Sequence, residues 1–296
     1  MAVASSAFVA YHLPIRTSPE PVAADGQLHA ALPASPTEPP STAQPAAPAP
    51  APQPDLGAGL AAADAMADES SVSLGVAVLD LSTGELVSGS GGATPYYSAS
   101  LSKLLLVVDV LDLRAEGELE LDDDDLSLVE RALTYSDDGA MDVMWTRFDG
   151  MDAMNRVAEK VGLTETHAPD DPSQWGEVVV SANDMVRLYQ YILTVMPAAD
   201  RELIVDALSS AQEEAADGFD QFFGLLDPEA RGSRTAFAKQ GWMYYLPGGV
   251  YLHSAGVIDN RYAVAVLTVQ TGVSYQDTRT QSARIVSAAL EPLPAS

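Results

Sequence analysis

Composition and charge limit what this 296-residue chain can be: 47% of its residues are hydrophobic, and its formal net charge is -27 with a pI near 4.1. The length suits one large domain or two small ones, with enough apolar residues for a sizeable core. Because few basic residues are available to neutralise phosphates, nucleic acid is excluded as an expected partner, and the absence of cysteine excludes disulfides, thiolate metal sites and cysteine nucleophiles.

Residues 1–54 have the composition of an unfolded linker. They contain twelve of the 20 prolines, many alanines and few charges. Such a segment is extended and semi-rigid, with no core to bury. The apolar stretch over 2–11 is too short for a transmembrane helix and has no basic residues before it. Because such linkers hold domains away from a membrane or wall, we expect an extracytoplasmic protein, secreted or tethered; a cytoplasmic protein with a disordered tail is the alternative.

Residues 55–296 are expected to form the folded domain. The first predicted elements are a helix over 55–69, a hairpin over 73–81 and 85–88, and an apolar helix over 100–116. Further helices are predicted over 124–134, 138–148, 150–162, 181–196 and 200–212. Three strands, 235–243, 249–258 and 261–270, precede a last helix over 275–290. This order predicts an α+β domain in which N- and C-terminal strands share one antiparallel sheet, with a block of helices inserted between them.

Two of the three lysines in the chain stand where serine chemistry needs them. Lys103 follows Ser100 in the pattern S-x-x-K, and Lys239 lies near the C-terminus. Serine is a weak nucleophile until a base removes its proton. The three-residue spacing at the start of a helix puts Ser100 and Lys103 on one face. The apolar residues that follow would desolvate Lys103 and lower its pKa, so that it acts as a base, a task that arginine cannot perform.

Three motifs in a fixed order carry a family resemblance. S-x-x-K at 100–103 is followed by Ser-Asp-Asp at 136–138, which opens a predicted helix, and by Lys-Gln-Gly at 239–241 on a predicted strand. The chain resembles the serine β-lactamases and penicillin-binding proteins, and among them the class A-like serine hydrolases of actinobacteria. The resemblance covers residues 55–296 and implies a β-lactamase/transpeptidase-like fold for this domain.

The resemblance also implies a role for each motif residue. Ser100 would be the acylated nucleophile and Lys103 its base. Ser136 would relay a proton to the leaving nitrogen, and Lys239 would hold the substrate carboxylate and polarise Ser136. Backbone N–H groups of Ser100 and Trp242 would form the oxyanion hole. The implied substrates are β-lactams or peptidoglycan-type amides and esters, and no cofactor is implied.

Three positions depart from the pattern of those families. Asp138 stands where an Asn is usual, and an ionised carboxylate accepts hydrogen bonds but cannot donate them to a substrate carbonyl. Gln240 replaces a Thr or Ser whose hydroxyl contacts the substrate carboxylate. The loop over 164–177 lacks the E-x-x-N pattern of the class A water-activating Glu, and Glu177 is the nearest candidate. We therefore expect acylation followed by slow deacylation.

Three further residues are predicted on the substrate side of the site. Gly241 would let a substrate approach the strand backbone closely, and Trp242 would serve both as core and as a wall of the cleft. His253, on a strand predicted to lie across from Lys239, would help to bind a carboxylate, with a core or edge histidine as the alternative. The four scattered histidines and the lack of cysteine predict no metal site, and we expect a monomer.

Two other functions remain open from the sequence. A D-alanyl-D-alanine carboxypeptidase-like enzyme shares the fold and also lacks the loop Glu. A non-catalytic module that binds peptidoglycan fragments or β-lactams would fit the loss of the usual Asn, Thr and Glu. The retention of Ser100, Lys103, Ser136 and Lys239 favours catalysis over this last alternative.

Overall fold

The computed structural model describes residues 54–244 and 249–294. The linker predicted over 1–54 lies outside the described residues except for its last position, so it stays a prediction. The described helices are α1 (Leu56–Glu69), α2 (Ser102–Glu116), α3 (Asp123–Thr134), α4 (Asp138–Arg147), α5 (Gly150–Val161), α6 (Ala182–Thr194), α7 (Ala198–Ser209), α8 (Pro228–Arg231) and α9 (Tyr275–Leu290). The described strands are β1 (Ser73–Asp80), β2 (Glu85–Ser88), β3 (Tyr96–Tyr97), β4 (Val179–Val180), β5 (Ala236–Met243), β6 (Gly249–Ile258) and β7 (Tyr262–Thr271).

Five strands form one antiparallel sheet in the order β2-β1-β7-β6-β5. The pairing of β1 with β7 runs from Ser73 opposite Val269 to Asp80 opposite Tyr262. It joins the N-terminal hairpin to the three C-terminal strands, and helices α2 to α8 are inserted between these two parts of the sheet. The α+β architecture predicted from the sequence is confirmed.

The sheet is buried on both faces. Successive residues of its central strands point to opposite sides, and each side packs into a core of its own. In β7, Ala265 and Leu267 pack into the core shared with the inserted helices, whereas Val264 and Val266 pack into a second core. The second core contains apolar residues of α1 and α9, such as Leu60 and Ile285. Strand β5 is at the edge of the sheet and packs against the 3-10 turn Ala99–Leu101, which precedes α2.

Helix α2 passes through the core that lies between the sheet and the helical block. Residues 104–108 are all fully buried, which explains why its first half has no polar face. The helix ends at Gly117, whose left-handed backbone (φ 77°) is the conformation that glycine accepts most readily. The predicted helix over 100–116 differs at its start, since residues Ala99–Leu101 form a separate 3-10 turn.

A two-stranded sheet that the sequence did not predict ties two loops together beside this turn. In it, β3 pairs with β4, with Tyr96 opposite Val180 and Tyr97 opposite Val179. Strands of two residues are too short to show an alternating pattern, which explains the omission. Their pairing holds the segment before the 3-10 turn against the loop that precedes α6.

Candidate active site

Ser100 lies in the 3-10 turn between β3 and α2. Ala99, the residue before it, has a positive φ of 47°, a conformation that costs free energy for a residue with a Cβ. The turn is held in place because Ser98 donates its backbone N–H to the Val178 carbonyl at 2.7 Å. A Cβ at Gly241 would lie 2.8 Å from the Ser98 carbonyl oxygen. Gly241 is therefore required for strand β5 to approach the nucleophile turn, and its role in the approach of a substrate stays a prediction.

Lys103 is fully buried one helical turn after Ser100. Its Nζ donates to Ser100 Oγ at 2.7 Å and to Asp138 Oδ1 at 2.7 Å. Burial lowers the pKa of Lys103 from its ordinary value of 10.5, and the Asp138 carboxylate raises it part of the way back. The site therefore contains a nucleophile in hydrogen-bond contact with a lysine whose neutral, basic form is favoured by burial.

The second serine–lysine pair is formed by Ser136 and Lys239. Ser136 lies between α3 and α4 with a positive φ of 52°, and Lys239 Nζ donates to its Oγ at 2.8 Å. Burial, followed by the positive charge of Lys103, holds the pKa of Lys239 well below its ordinary value. The buried Tyr189 hydroxyl accepts the Lys239 backbone N–H at 3.1 Å and so fixes this part of β5. Sequence reasoning missed this supporting role of Tyr189.

The four motif residues lie at or behind one cleft of about 250 Å³. The described residues that line it are Ala99, Ser100, Asp138, Ser173, Gln174, Trp175, Gly176, Trp242 and Met243. Ser100 thus faces the cleft, whereas Lys103 and Lys239 are buried beneath its wall. Ser100 and Trp242 line the same cleft, which is compatible with the predicted pair of backbone oxyanion donors.

Trp175 is a site residue that the sequence did not reveal. Its ring centroid lies 4.3 Å from Lys103 Nζ, close enough for a cation–π interaction. Its indole N–H donates to Asp142 Oδ1 at 2.8 Å, and Trp145 donates to the Pro172 carbonyl at 2.9 Å. These two anchors hold the loop over the lysine. The sequence contained one indication of this role, because a tryptophan lies in the loop in which the class A pattern has its water-activating Glu.

Trp242 also lines the cleft. Its ring stacks on Phe219 with 4.4 Å between centroids and 7° between planes, and its N–H donates to Asp217 Oδ2 at 3.2 Å. Lys239 Nζ lies 5.9 Å from the centroid of the same ring. Each buried lysine is therefore close to one indole, and each indole N–H is held by an aspartate outside the cleft lining.

Two residues predicted to bind substrate face elsewhere. Gln240 is almost fully buried and its Nε2 donates to the carbonyls of Gln221 and Phe223, because alternate residues of a strand point to opposite sides. It therefore supports the segment before α8 and does not line the cleft.

His253, like Gln240, forms its hydrogen bonds within the protein. It pairs with Gly241 rather than lying across from Lys239. Its Nε2 donates to the Tyr97 carbonyl at 2.9 Å and its Nδ1 accepts the Thr268 N–H at 3.1 Å, while burial lowers its pKa to about 4. A neutral imidazole with both nitrogens engaged has no capacity left for a substrate carboxylate, so this prediction was wrong.

Glu177, the candidate water-activating residue, follows the last loop residue that lines the cleft. The negative charge of Glu177 contributes, after burial and Tyr97, to a raised pKa of Tyr251 on strand β6. The loop side chain that contacts Lys103 is the indole of Trp175. The geometry therefore does not support Glu177 as the base.

Comparison with known proteins establishes the family. The model of the β-lactamase enzyme family matches residues 61–124 and 126–292, most of the chain. The chain belongs to this family. Two sequences, from Mycobacterium bovis and Mycobacterium tuberculosis, each named "Putative lipoprotein LppW", are 34% identical to it over 203 residues. That alignment covers 67% of this chain and 63% of each relative, so the match spans less than two thirds of their length.

Solved structures of β-lactamases share the fold of this family member. A β-lactamase from Chitinophaga pinensis superposes with a TM-score of 0.66 at 16% identity, covering 80% of this chain and 99% of the other. The extended-spectrum β-lactamase TLA-1 gives 0.66 at 12% identity with the same coverage. A mutant of the class A β-lactamase of the last common ancestor of Gram-negative bacteria gives 0.63 at 20% identity, covering 79% and 97%. The predicted family and fold are therefore confirmed.

Two further observations concern only the described residues. No helix there combines the length and the apolar composition needed to cross a membrane. No group of three or more His, Asp or Glu side chains there is arranged to hold a metal ion. The predictions of a monomer and of no metal site or cofactor stay predictions.

The pH dependence of acylation tests the assignment of Lys103 as base. Only neutral Lys103 can accept the Ser100 proton, so the acylation rate is expected to rise with pH. Because burial lowers the pKa while Asp138, Asp217 and Asp137 raise it, the net lowering places the plateau below pH 10.5. The measurement is the pseudo-first-order rate at which a penicillin forms an adduct with Ser100, taken across the pH range in which the protein stays folded. A rate that falls as pH rises would contradict the assignment.

Proposed function

We propose that this β-lactamase-family protein is a serine hydrolase that forms an acyl-enzyme through Ser100 with β-lactams or related amides and esters. The observation that carries the proposal is the pair of hydrogen bonds Lys103–Ser100 and Lys239–Ser136, at 2.7 and 2.8 Å, beside one cleft. A buried lysine in contact with a serine hydroxyl is a recognised way of activating that nucleophile.

The proposed acylation uses both pairs. Lys103 Nζ accepts the Ser100 hydroxyl proton as Oγ forms a bond to the carbonyl carbon, and the resulting ammonium is stabilised by Asp138. Backbone N–H groups of Ser100 and Trp242 would stabilise the oxyanion. As the carbon–nitrogen bond breaks, Ser136 donates its proton to the leaving nitrogen and recovers one from the Lys239 ammonium, which the proton on Lys103 can replenish. With a β-lactam the product is a Ser100 ester that retains the amine, because opening the ring releases no fragment; an acyclic amide would instead release a free amine.

We further propose that the Ser100 ester is hydrolysed slowly. Hydrolysis needs a group that removes a proton from water beside the ester. The loop residue that contacts Lys103 is Trp175, whose indole N–H is already donated to Asp142, and an indole cannot accept a proton from water. Asp138, a carboxylate on the cleft wall, is already paired with Lys103.

A secreted or tethered location fits this function and is part of the proposal. The relatives named lipoproteins support an extracytoplasmic site of action. Amide and ester substrates of peptidoglycan type occur in the same compartment. Digestion of intact cells with an added protease, with a cytoplasmic protein as reference, tests this; degradation that occurs only after lysis would contradict it.

Intact mass after incubation with benzylpenicillin, followed over time, tests the function directly. The expected result is an adduct of the mass of the drug that persists after the free drug is removed and that does not form with Ser100→Ala. A transient adduct with drug consumption would retain the nucleophile but overturn slow deacylation. Absence of any adduct with penicillins and with activated esters would favour the binding-module alternative. Release of D-alanine from an acyl-D-Ala-D-Ala peptide would favour the carboxypeptidase alternative.

A further inference from the structure

The described wall of the cleft has a single charged side chain, and its charge is negative. Nine described residues line the cleft, and among them Asp138 alone has a charged side chain. The wall that a substrate meets is therefore polar, aromatic and anionic.

Asp138 exposes its carboxylate to the cleft even though it is paired. Its Oδ1 accepts from Lys103 Nζ at 2.7 Å, yet 59% of its side chain is exposed, against 0% for Lys103. A group entering the cleft reaches the carboxylate directly, whereas the ammonium lies behind it. An exposed carboxylate in this position attracts a cation and repels an anion.

The other cations near the cleft are also buried or already paired. Lys239 is 1% exposed and its Nζ donates to Ser136 Oγ and to the Gln240 carbonyl. Arg131 forms an ion pair with Asp137. Neither supplies a free positive group at the cleft surface.

Two indoles complete the surroundings of the carboxylate. Trp175 and Trp242 both line the cleft, and their N–H groups are held by Asp142 and Asp217. The indole ring attracts cations more strongly than other side-chain rings, and the Trp175 ring already lies 4.3 Å from Lys103 Nζ. A carboxylate that lines the same cleft as two indoles makes that cleft suitable for binding an ammonium group.

We propose that the cleft selects acyl donors with a cationic group, such as an ammonium, in the side chain attached beside the reacting carbonyl, and rejects donors with an anionic group in that side chain. Asp138 would pair with the cation, and the indoles of Trp175 and Trp242 would cover its apolar part. The net charge of -27 would add a longer-range repulsion of donors with a further anionic group. This inference rests on the proposed function, because it concerns the substrate of the Ser100 acylation.

Three penicillins that differ in the charge of the side chain test the proposal. Ampicillin has an ammonium there at neutral pH, benzylpenicillin has no side-chain charge, and carbenicillin has a carboxylate. Their dissociation constants are measured on Ser100→Ala, where no covalent step occurs, and their acylation rates on the unaltered protein. We expect ampicillin to bind at least ~10-fold more tightly than carbenicillin, with benzylpenicillin between them, since opposite charges a few ångströms apart interact strongly near a protein surface.

A matched pair of variants locates the origin of the preference. In the Ser100→Ala background, Asp138→Asn is expected to reduce the ratio of ampicillin to carbenicillin affinity several-fold. Glu118→Gln removes the same charge from an exposed residue beyond the far end of α2 and is expected to leave the ratio unchanged. Using the ratio cancels any effect of Asp138→Asn on Lys103 that is common to all three drugs.

The outcomes test charge selection by the cleft separately from the proposed acylation of Ser100. Equal affinities for the three drugs, a preference for carbenicillin, or no binding of any drug would overturn charge selection. An equal reduction by both variants would assign the preference to net charge rather than to Asp138 and would also overturn it. If binding follows the expected order but the unaltered protein forms no adduct, charge selection stands and the proposed acylation fails.

Discussion

Replacement of Lys103 by methionine is expected to slow acylation of Ser100 by about 10²- to 10⁴-fold, the contribution of a positioned general base. The lysine is fully buried among apolar residues and contacts Ser100 Oγ at 2.7 Å, so its removal leaves the hydroxyl without its proton acceptor. Methionine has a similar length and no charge, and it fits a buried position without loss of packing. The rate of penicillin adduct formation, followed by intact mass, is the measurement.

Lys160→Met is the matched control, because it removes the remaining lysine of the chain at a site on α5 that pairs with Glu116 and Asp112. It is expected to acylate at the unaltered rate. Circular dichroism melting curves of both variants separate loss of the base from loss of the fold. A folded Lys103→Met that acylates normally would contradict the assignment and would leave Lys239, through Ser136, as the activating group.

The sequence predicted those parts of the fold and the site that depend on local patterns. Strands β6 and β7 alternate between two cores, and both were recognisable from their apolar runs to within one residue at each end. The Ser100–Lys103 contact follows from a three-residue spacing at a helix start, and the structure has it at 2.7 Å. Lysine is otherwise almost absent from the chain, which made the two buried ones conspicuous.

The remaining features of the site depend on contacts between distant segments. The position of Trp175 over Lys103 requires β3 to pair with β4 and Asp142 to accept the indole N–H, neither of which has a local signature. The orientation of Gln240 could have been inferred, since it alternates with Lys239 along a strand. That of His253 could not, because its partners Tyr97 and Thr268 lie on other strands.

The second large effect is expected from Trp175→Glu, which should shorten the lifetime of the Ser100 adduct at least ~10-fold, within the range that a positioned general base supplies. The indole centroid lies 4.3 Å from Lys103 Nζ, and a glutamate at the same backbone position could bring a carboxylate into the space of the ring. That carboxylate could remove a proton from a water beside the ester. Trp175 is half-buried, so the substitution does not place a charge in the core.

Trp175→Gln separates the two ways in which the indole could prolong the adduct. It opens the same space as Trp175→Glu but supplies no base. Faster hydrolysis with Glu alone would show that the missing base limits turnover, and equal acceleration in both variants would show that the ring acts by excluding water. If neither variant shortens the lifetime, measured as recovery of the unmodified mass after removal of free drug, Trp175 is not the cause of slow deacylation. The adduct would then be protected by another part of the cleft wall, where Trp242 is the other aromatic residue among the described lining residues.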